Sequence, residues 1–308
     1  MCDERQLAEM AKNSGSMSGD SMGAGAMNRR SFAAMGGAAL LAGCASGNEG
    51  ATAQEAAATA TGTGAAVTRS EVSIPTPAGT ADATFYHPAE GKHPAIIMWP
   101  DIASVRPASQ QMAERLAGEG YAVLHPNPYY RSVKGQQFAD FAGFMNDEGF
   151  SKVGPWREQN TPDAVMADTR AFVAWLDAQD AVDTARGIGA NGHCMTGSWT
   201  FYAAAAVPAR VKAAASMHGG GLVTDSPQSP HRIMQAGTSY LVAISQDDDA
   251  KQPEAKTALR EAAAAVGAPI EVIVYPADHG WTVLDSPAYD RAEAEKAWAQ
   301  MLALYAGL

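Results

Sequence analysis

Three widely separated parts of the chain carry side chains suited to acyl-bond cleavage: Cys194, the run Asp247-Asp248-Asp249, and His279. A thiolate is a strong nucleophile, an imidazole takes and returns a proton near neutral pH, and a carboxylate orients that imidazole. Each follows an apolar run of strand type, at residues 186–190, 240–244 and 270–275 respectively. Nucleophile, acid and histidine in that order, each just past a strand end, is one of the chain orders in which such triads occur. Gly192 and Gly197 bracket Cys194 between a strand and the helix-forming residues 201–206. Gly-x-Cys-x-x-Gly approximates the Gly-x-Ser-x-Gly nucleophile elbow, where strand and helix pass too close for bulky neighbours.

Each residue also has a plainer reading: a lone cysteine is most often a small buried hydrophobe, and a loop histidine is common. The hydrolytic reading rests on their joint occurrence. In it, His279, within Ala277-Asp278-His279-Gly280-Trp281, deprotonates Cys194 and later protonates the leaving oxygen. Asp248 best fits the orienting acid, because Ser245-Gln246-Asp247-Asp248 has the spacing of a Gly-x-x-Asp turn; Asp247 and Asp249 are alternatives in one acidic turn. Oxyanion donors are expected from the backbone of Met195 and from residues 99–103, with Ile102 favoured. His193, His218 and His231 could join Cys194 and His279 around zinc, yet no Cys-x-x-Cys or His-x-x-x-His spacing occurs, so no metal or cofactor is expected.

The elements that must position these residues alternate. Strands are predicted over 71–74 and 83–86 as an antiparallel opening pair, then over 95–99, 121–124, 186–190, 211–217, 240–245 and 270–275. Helices are predicted over 107–120, from Pro162 with Thr161 as cap, after the elbow, and over 253–266 and 289–306. The pattern implies an α/β fold with a mainly parallel, doubly wound sheet flanked by helices and a site at the carboxyl ends of the strands. Residues 127–160 break the rhythm with aromatics, glycines and mixed charge, as an excursion over those ends would.

The 308 residues suffice for one large domain, and a net charge of −11 argues against nucleic acid or an anionic membrane surface as partner. Asn28-Arg29-Arg30-Ser31-Phe32 looks like a twin-arginine export signal, followed by a weakly apolar run and by Leu41-Ala42-Gly43-Cys44, which looks like a lipobox. Residues 1–44 thus read as an extension and signal, with Met1 and Met27 both available as starts, and 45–67 as a disordered Ala/Thr/Gly linker. The expected location is the periplasm or cell envelope, with a lipid anchor at Cys44. Processing would remove Cys2 and acylate Cys44, leaving Cys194 as the one thiol of the mature chain.

From about Thr68 to its end the chain resembles the dienelactone hydrolase family of α/β-hydrolases. The resemblance is carried by Cys194 in its elbow, Asp248, His279, Pro100-Asp101-Ile102 and Asn127-Pro128-Tyr129-Tyr130-Arg131. It implies the α/β-hydrolase fold over 68–308 and hydrolysis of a small-molecule ester or lactone through an acyl-cysteine. It further implies that Asp101 contacts the resting thiol and that Arg131 holds a substrate carboxylate. Trp281, two residues past the histidine, is a further candidate for the substrate side. The family's second substrate-binding arginine, shortly after the histidine, has no counterpart in Gly280-Trp281-Thr282-Val283-Leu284. The substrate therefore stays open. The competing reading is a non-catalytic envelope binding protein on the same fold.

Overall fold

The computed structural model describes residues 66–308. The twin-arginine segment, the lipobox with Cys44, and the linker up to residue 65 lie outside the described residues. Eight strands form one sheet in the order β1-β2-β4-β3-β5-β6-β7-β8. They are β1 (Val67–Thr76), β2 (Gly79–Pro88), β3 (Ala95–Trp99), β4 (Ala122–Pro126), β5 (Ile188–His193), β6 (Val211–Met217), β7 (Ser239–Ser245) and β8 (Ile270–Tyr275). β1 pairs antiparallel with β2 and β2 antiparallel with β4, while every pairing among β3 to β8 is parallel.

Strands covered on both faces favour apolar side chains, and β3 and β4 are buried throughout, His125 of β4 being the polar exception. One face is covered by α4 (Pro162–Asp177), α5 (Trp199–Ala206) and α7 (Ala255–Val266), through Phe172, Leu176, Phe201 and Leu259. α1 (Pro107–Gly118) and α8 (Arg291–Tyr305) cover the other, through Met112, Leu116, Trp298 and Met301. Thr161 caps α4 as expected, its hydroxyl accepting the Ala164 N–H at 3.2 Å, with Pro162 at the first helical position. Between β4 and α4 the excursion contains two short helices, α2 (Phe141–Asn146) and α3 (Gly149–Glu158).

Three differences from the sequence-based expectation have physical causes. β1 and β2 are each ten residues long and pair in continuous register; β1 is mostly exposed and polar, so its outer residues give no hydrophobic signal. β5 runs on through Asn191, Gly192 and His193, polar or small residues that are nonetheless buried. The three aspartates lie in a helix, α6 (Gln246–Lys251), capped by Ser245, rather than in a turn. Successive parallel strands thus deliver residues 100–103, 194, 218, 248 and 279 to one end of the sheet.

Candidate active site

Cys194 sits where β5 gives way to a short 3-10 turn, Cys194–Ser198, that leads into α5. Its φ is +55°, a left-handed conformation that costs a residue with a Cβ about 1–3 kcal/mol. The neighbours hold it there. A Cβ on Gly192 would stand 2.2 Å from the Thr196 carbonyl oxygen, and one on Gly197 2.4 Å from the Gly219 Cα, so neither position admits a side chain. The Thr196 hydroxyl accepts the His193 N–H at 3.0 Å and donates to the Pro100 carbonyl at 2.8 Å, tying the elbow to the loop after β3. The Cys194 N–H donates to His218 Nδ1 at 3.1 Å.

Across the site, His279 Nδ1 lies 2.6 Å from Asp248 Oδ2, which also accepts the Ser245 hydroxyl at 2.6 Å. Asp247 Oδ1 accepts the His279 backbone N–H at 2.9 Å, and Asp249 is paired with Lys256 at 2.6 Å. Of the three candidates, the structure therefore puts Asp248 on the imidazole. A carboxylate can only accept here, so Nδ1 carries the proton and Nε2 is the basic nitrogen of the neutral ring. Cys194 and His279 line one small cleft with Asp101, Ile102, Phe141, His218, Gly280 and Ser286. Phe141 comes from α2, so the excursion does reach over the strand ends.

Other expected residues have different partners. Asp101 lines the cleft, but its Oδ1 and Oδ2 bind the Arg106 guanidinium at 2.6 and 2.9 Å, and Oδ1 also accepts the Ala103 N–H. The other edge of Arg106 binds Asp285 at 2.7 and 2.8 Å, and Asp285 accepts the Phe141 N–H at 2.9 Å. One wholly buried guanidinium thus joins the loop after β3, the histidine loop and α2. Ile102 is buried in that first loop, its carbonyl accepting the Tyr129 hydroxyl at 2.8 Å.

Two residues expected on the substrate side have protein partners. Arg131 binds Asp168 at 2.8 Å, contacts Asn160 and the Ala164 carbonyl, and is absent from the residues lining the cleft. Its charge serves to fasten the excursion to α4. Trp281 is 0% exposed, packed between Tyr275 and His218, so its ring backs the imidazole of His218.

Each of the other histidines weighed as metal ligands has a hydrogen bond to a hydroxyl. His193 Nδ1 and His218 Nε2 both lie 2.9 Å from the Thr282 hydroxyl, and His231 Nδ1 lies 2.8 Å from that of Ser229. Burial opposes charge on His193, pushing its pKa down to about 4. Burial, then the neighbouring imidazoles of His279 and His193, holds His218 well below the usual histidine range. Among the described residues no three His, Cys, Asp or Glu side chains are grouped to hold a metal ion. Sequence reasoning passed over Arg106, Asp285 and Thr282 and took His218 only as a ligand candidate. The available signal for His218 was its place at the end of β6, level with the other strand-end residues.

A mainly parallel sheet wound on both faces, with a residue of positive φ at a strand-to-helix elbow facing a carboxylate-held histidine, defines an α/β-hydrolase. The chain matches the dienelactone hydrolase family over residues 81–307, and it belongs to that family. An Escherichia coli protein provisionally named carboxymethylenebutenolidase is 30% identical over 221 residues, covering 70% of this chain and 77% of its own. A crystal structure from Klebsiella pneumoniae, provisionally named a dienelactone hydrolase, superposes with a TM-score of 0.65 at 27% identity, covering 79% of this chain and all of that one. An esterase from Pyrobaculum calidifontis shares the fold at 15% identity, with a TM-score of 0.57 over 78% of this chain and 85% of its own. The chain is a hydrolase of the carboxylic-ester class.

Arg106 yields a prediction. Replacing it with leucine leaves Asp101 buried without its counter-charge, which costs about 3–5 kcal/mol. Urea unfolding of Arg106→Leu is expected to show that loss, whereas Arg115→Leu, at a surface pair with Glu295, is expected to lose less than about 1 kcal/mol. Equal losses would remove the structural role given to Arg106.

Proposed function

We propose that the protein hydrolyses a small carboxylic ester or lactone through an acyl-cysteine formed on Cys194. His279 Nε2 takes the thiol proton, and the thiolate adds to the substrate carbonyl carbon. The oxyanion is held by the backbone N–H groups of Met195 and Ile102. Collapse of the adduct breaks the bond to the leaving oxygen, to which the His279 imidazolium returns the proton; in a lactone that oxygen stays attached through the ring. Water, deprotonated by His279, then attacks the thioester, releasing the acid and restoring the thiol.

The observation that carries this reading is the 2.6 Å contact of Asp248 with His279 Nδ1, which fixes the tautomer having its basic nitrogen at Nε2, on a ring that shares a cleft with Cys194. Asp248→Asn is expected to lower kcat on the order of a hundredfold or more, while Asp249→Asn, at the Lys256 pair, leaves it within about threefold. Mass spectrometry of enzyme quenched during turnover of an activated ester is expected to find the acyl group on Cys194. Undiminished turnover by Cys194→Ala would refute the mechanism.

The reading extends to location. Arg29-Arg30 and Leu41-Ala42-Gly43-Cys44 support a reading in which the hydrolase is exported to the cell envelope and lipid-anchored at Cys44. Cys44→Ser is expected to move the protein from the membrane fraction to the soluble one. An unmodified residue ahead of Cys44 in the mature native protein would exclude the anchor.

A further inference from the structure

The turn after β6 brings to the nucleophile a second imidazole that the hydrolytic steps do not use. His218 is 1% exposed and itself has φ +41°, and its Nδ1 lies 3.1 Å from the Cys194 backbone nitrogen. A backbone amide can only donate, so Nδ1 must present its lone pair. The neutral ring then carries its proton on Nε2, which donates to Thr282 Oγ1 at 2.9 Å. That leaves the threonine hydroxyl to donate to His193 Nδ1 at 2.9 Å. The chain Cys194 N–H, His218, Thr282, His193 accordingly has one direction, in which every member donates to the next.

Two further contacts connect this chain to the reacting groups. Thr282 belongs to the loop that carries His279, so one segment supplies the base and also sets the tautomer of His218. The His218 ring lies edge-on to His279 with centroids 4.8 Å apart, and Trp281 backs it at 5.2 Å. Gly219, the next residue, abuts Gly197 closely enough that a Cβ on it would stand 3.0 Å from the Gly197 Cα. The elbow and the β6 turn therefore pack backbone against backbone, with no room for a side chain between them.

We propose that His218 is a positioning residue for the nucleophile: a neutral imidazole, its tautomer set by Thr282, that accepts the Cys194 amide and so fixes the directions of the thiol and of the Met195 N–H that follows. The proposal rests on the acyl-cysteine reading above. Its burial and the adjoining imidazoles oppose protonation, which would remove the Nδ1 lone pair and the clamp with it.

Substitutions at the two ring nitrogens separate this role from simple packing. Asparagine places an acceptor near the position of Nδ1, and glutamine places its polar atoms nearer Nε2. His218→Gln is expected to lower kcat by about 10- to 100-fold with KM little changed, the size of effect that slight misplacement of a reacting group produces. The same variant should slow alkylation of Cys194 by iodoacetamide, in which the thiolate forms an S–C bond and displaces iodide. His218→Asn should recover most of both rates. Thr282→Val should lower both rates and Thr282→Ser restore them, a pair that decides the matter even if a His218 variant fails to fold.

An asparagine variant no faster than the glutamine variant, or Thr282→Val with wild-type kcat and alkylation rate, overturns the proposal. Because alkylation needs no ester, the Asn-over-Gln order at Cys194 in a protein that hydrolyses no ester tested would sustain the clamp while removing the proposed hydrolysis.

Discussion

The left-handed backbone of Cys194 is the constraint around which the remaining geometry is arranged. A residue with a Cβ adopts φ +55° only where its surroundings determine it more strongly than its own preference. Here the surroundings are explicit: a strand hydrogen-bonded on both sides, two flanking glycines with no room for a Cβ, and a threonine hydroxyl bridging to the loop after β3. The strand cannot continue past such a residue, so the thiol is presented at the sheet end, at the start of a helical run. The partial positive charge of N–H groups at the start of a helical run favours negative charge beside it.

Parallel pairing then does the assembly. Each βα unit ends at the same edge, so residues hundreds of atoms apart along the chain converge without long-range design of individual loops. The loops are nonetheless fixed by charge. Arg106 holds Asp101 and Asp285 with both edges of its guanidinium, and Asp285 holds the backbone of α2. Asp248 and Asp247 hold the side chain and the backbone of His279. A buried guanidinium is costly unless every donor is paired, and this pairing makes the loops interdependent.

The fold was legible because strands buried on both faces are mostly apolar, as residues 95–99 and 240–244 are. Strand-end placement also made Cys194, the aspartates and His279 legible, together with Thr161 and Pro162 as a helix start. What the sequence hid was partnership. Arg131 looked available for a substrate, but only the folded chain brings Asp168 from α4 against it. Trp281 follows the histidine by two residues, yet the loop turns its ring inward onto Tyr275. Arg106 and Asp285 are 179 residues apart, with no local pattern to connect them. His218 and Thr282 are likewise ordinary residues until hydrogen-bond direction assigns their protons.

The central claim is that Cys194 is activated by the Asp248-bound imidazole of His279. Titration of the Cys194 thiolate by ultraviolet absorbance, in the wild type and in His279→Ala, tests it most directly. The expected result is a wild-type thiol that ionises well below the about 8.5 of an ordinary cysteine and moves upward by at least about one unit when the imidazole is removed. Identical titration curves for the two proteins would contradict it.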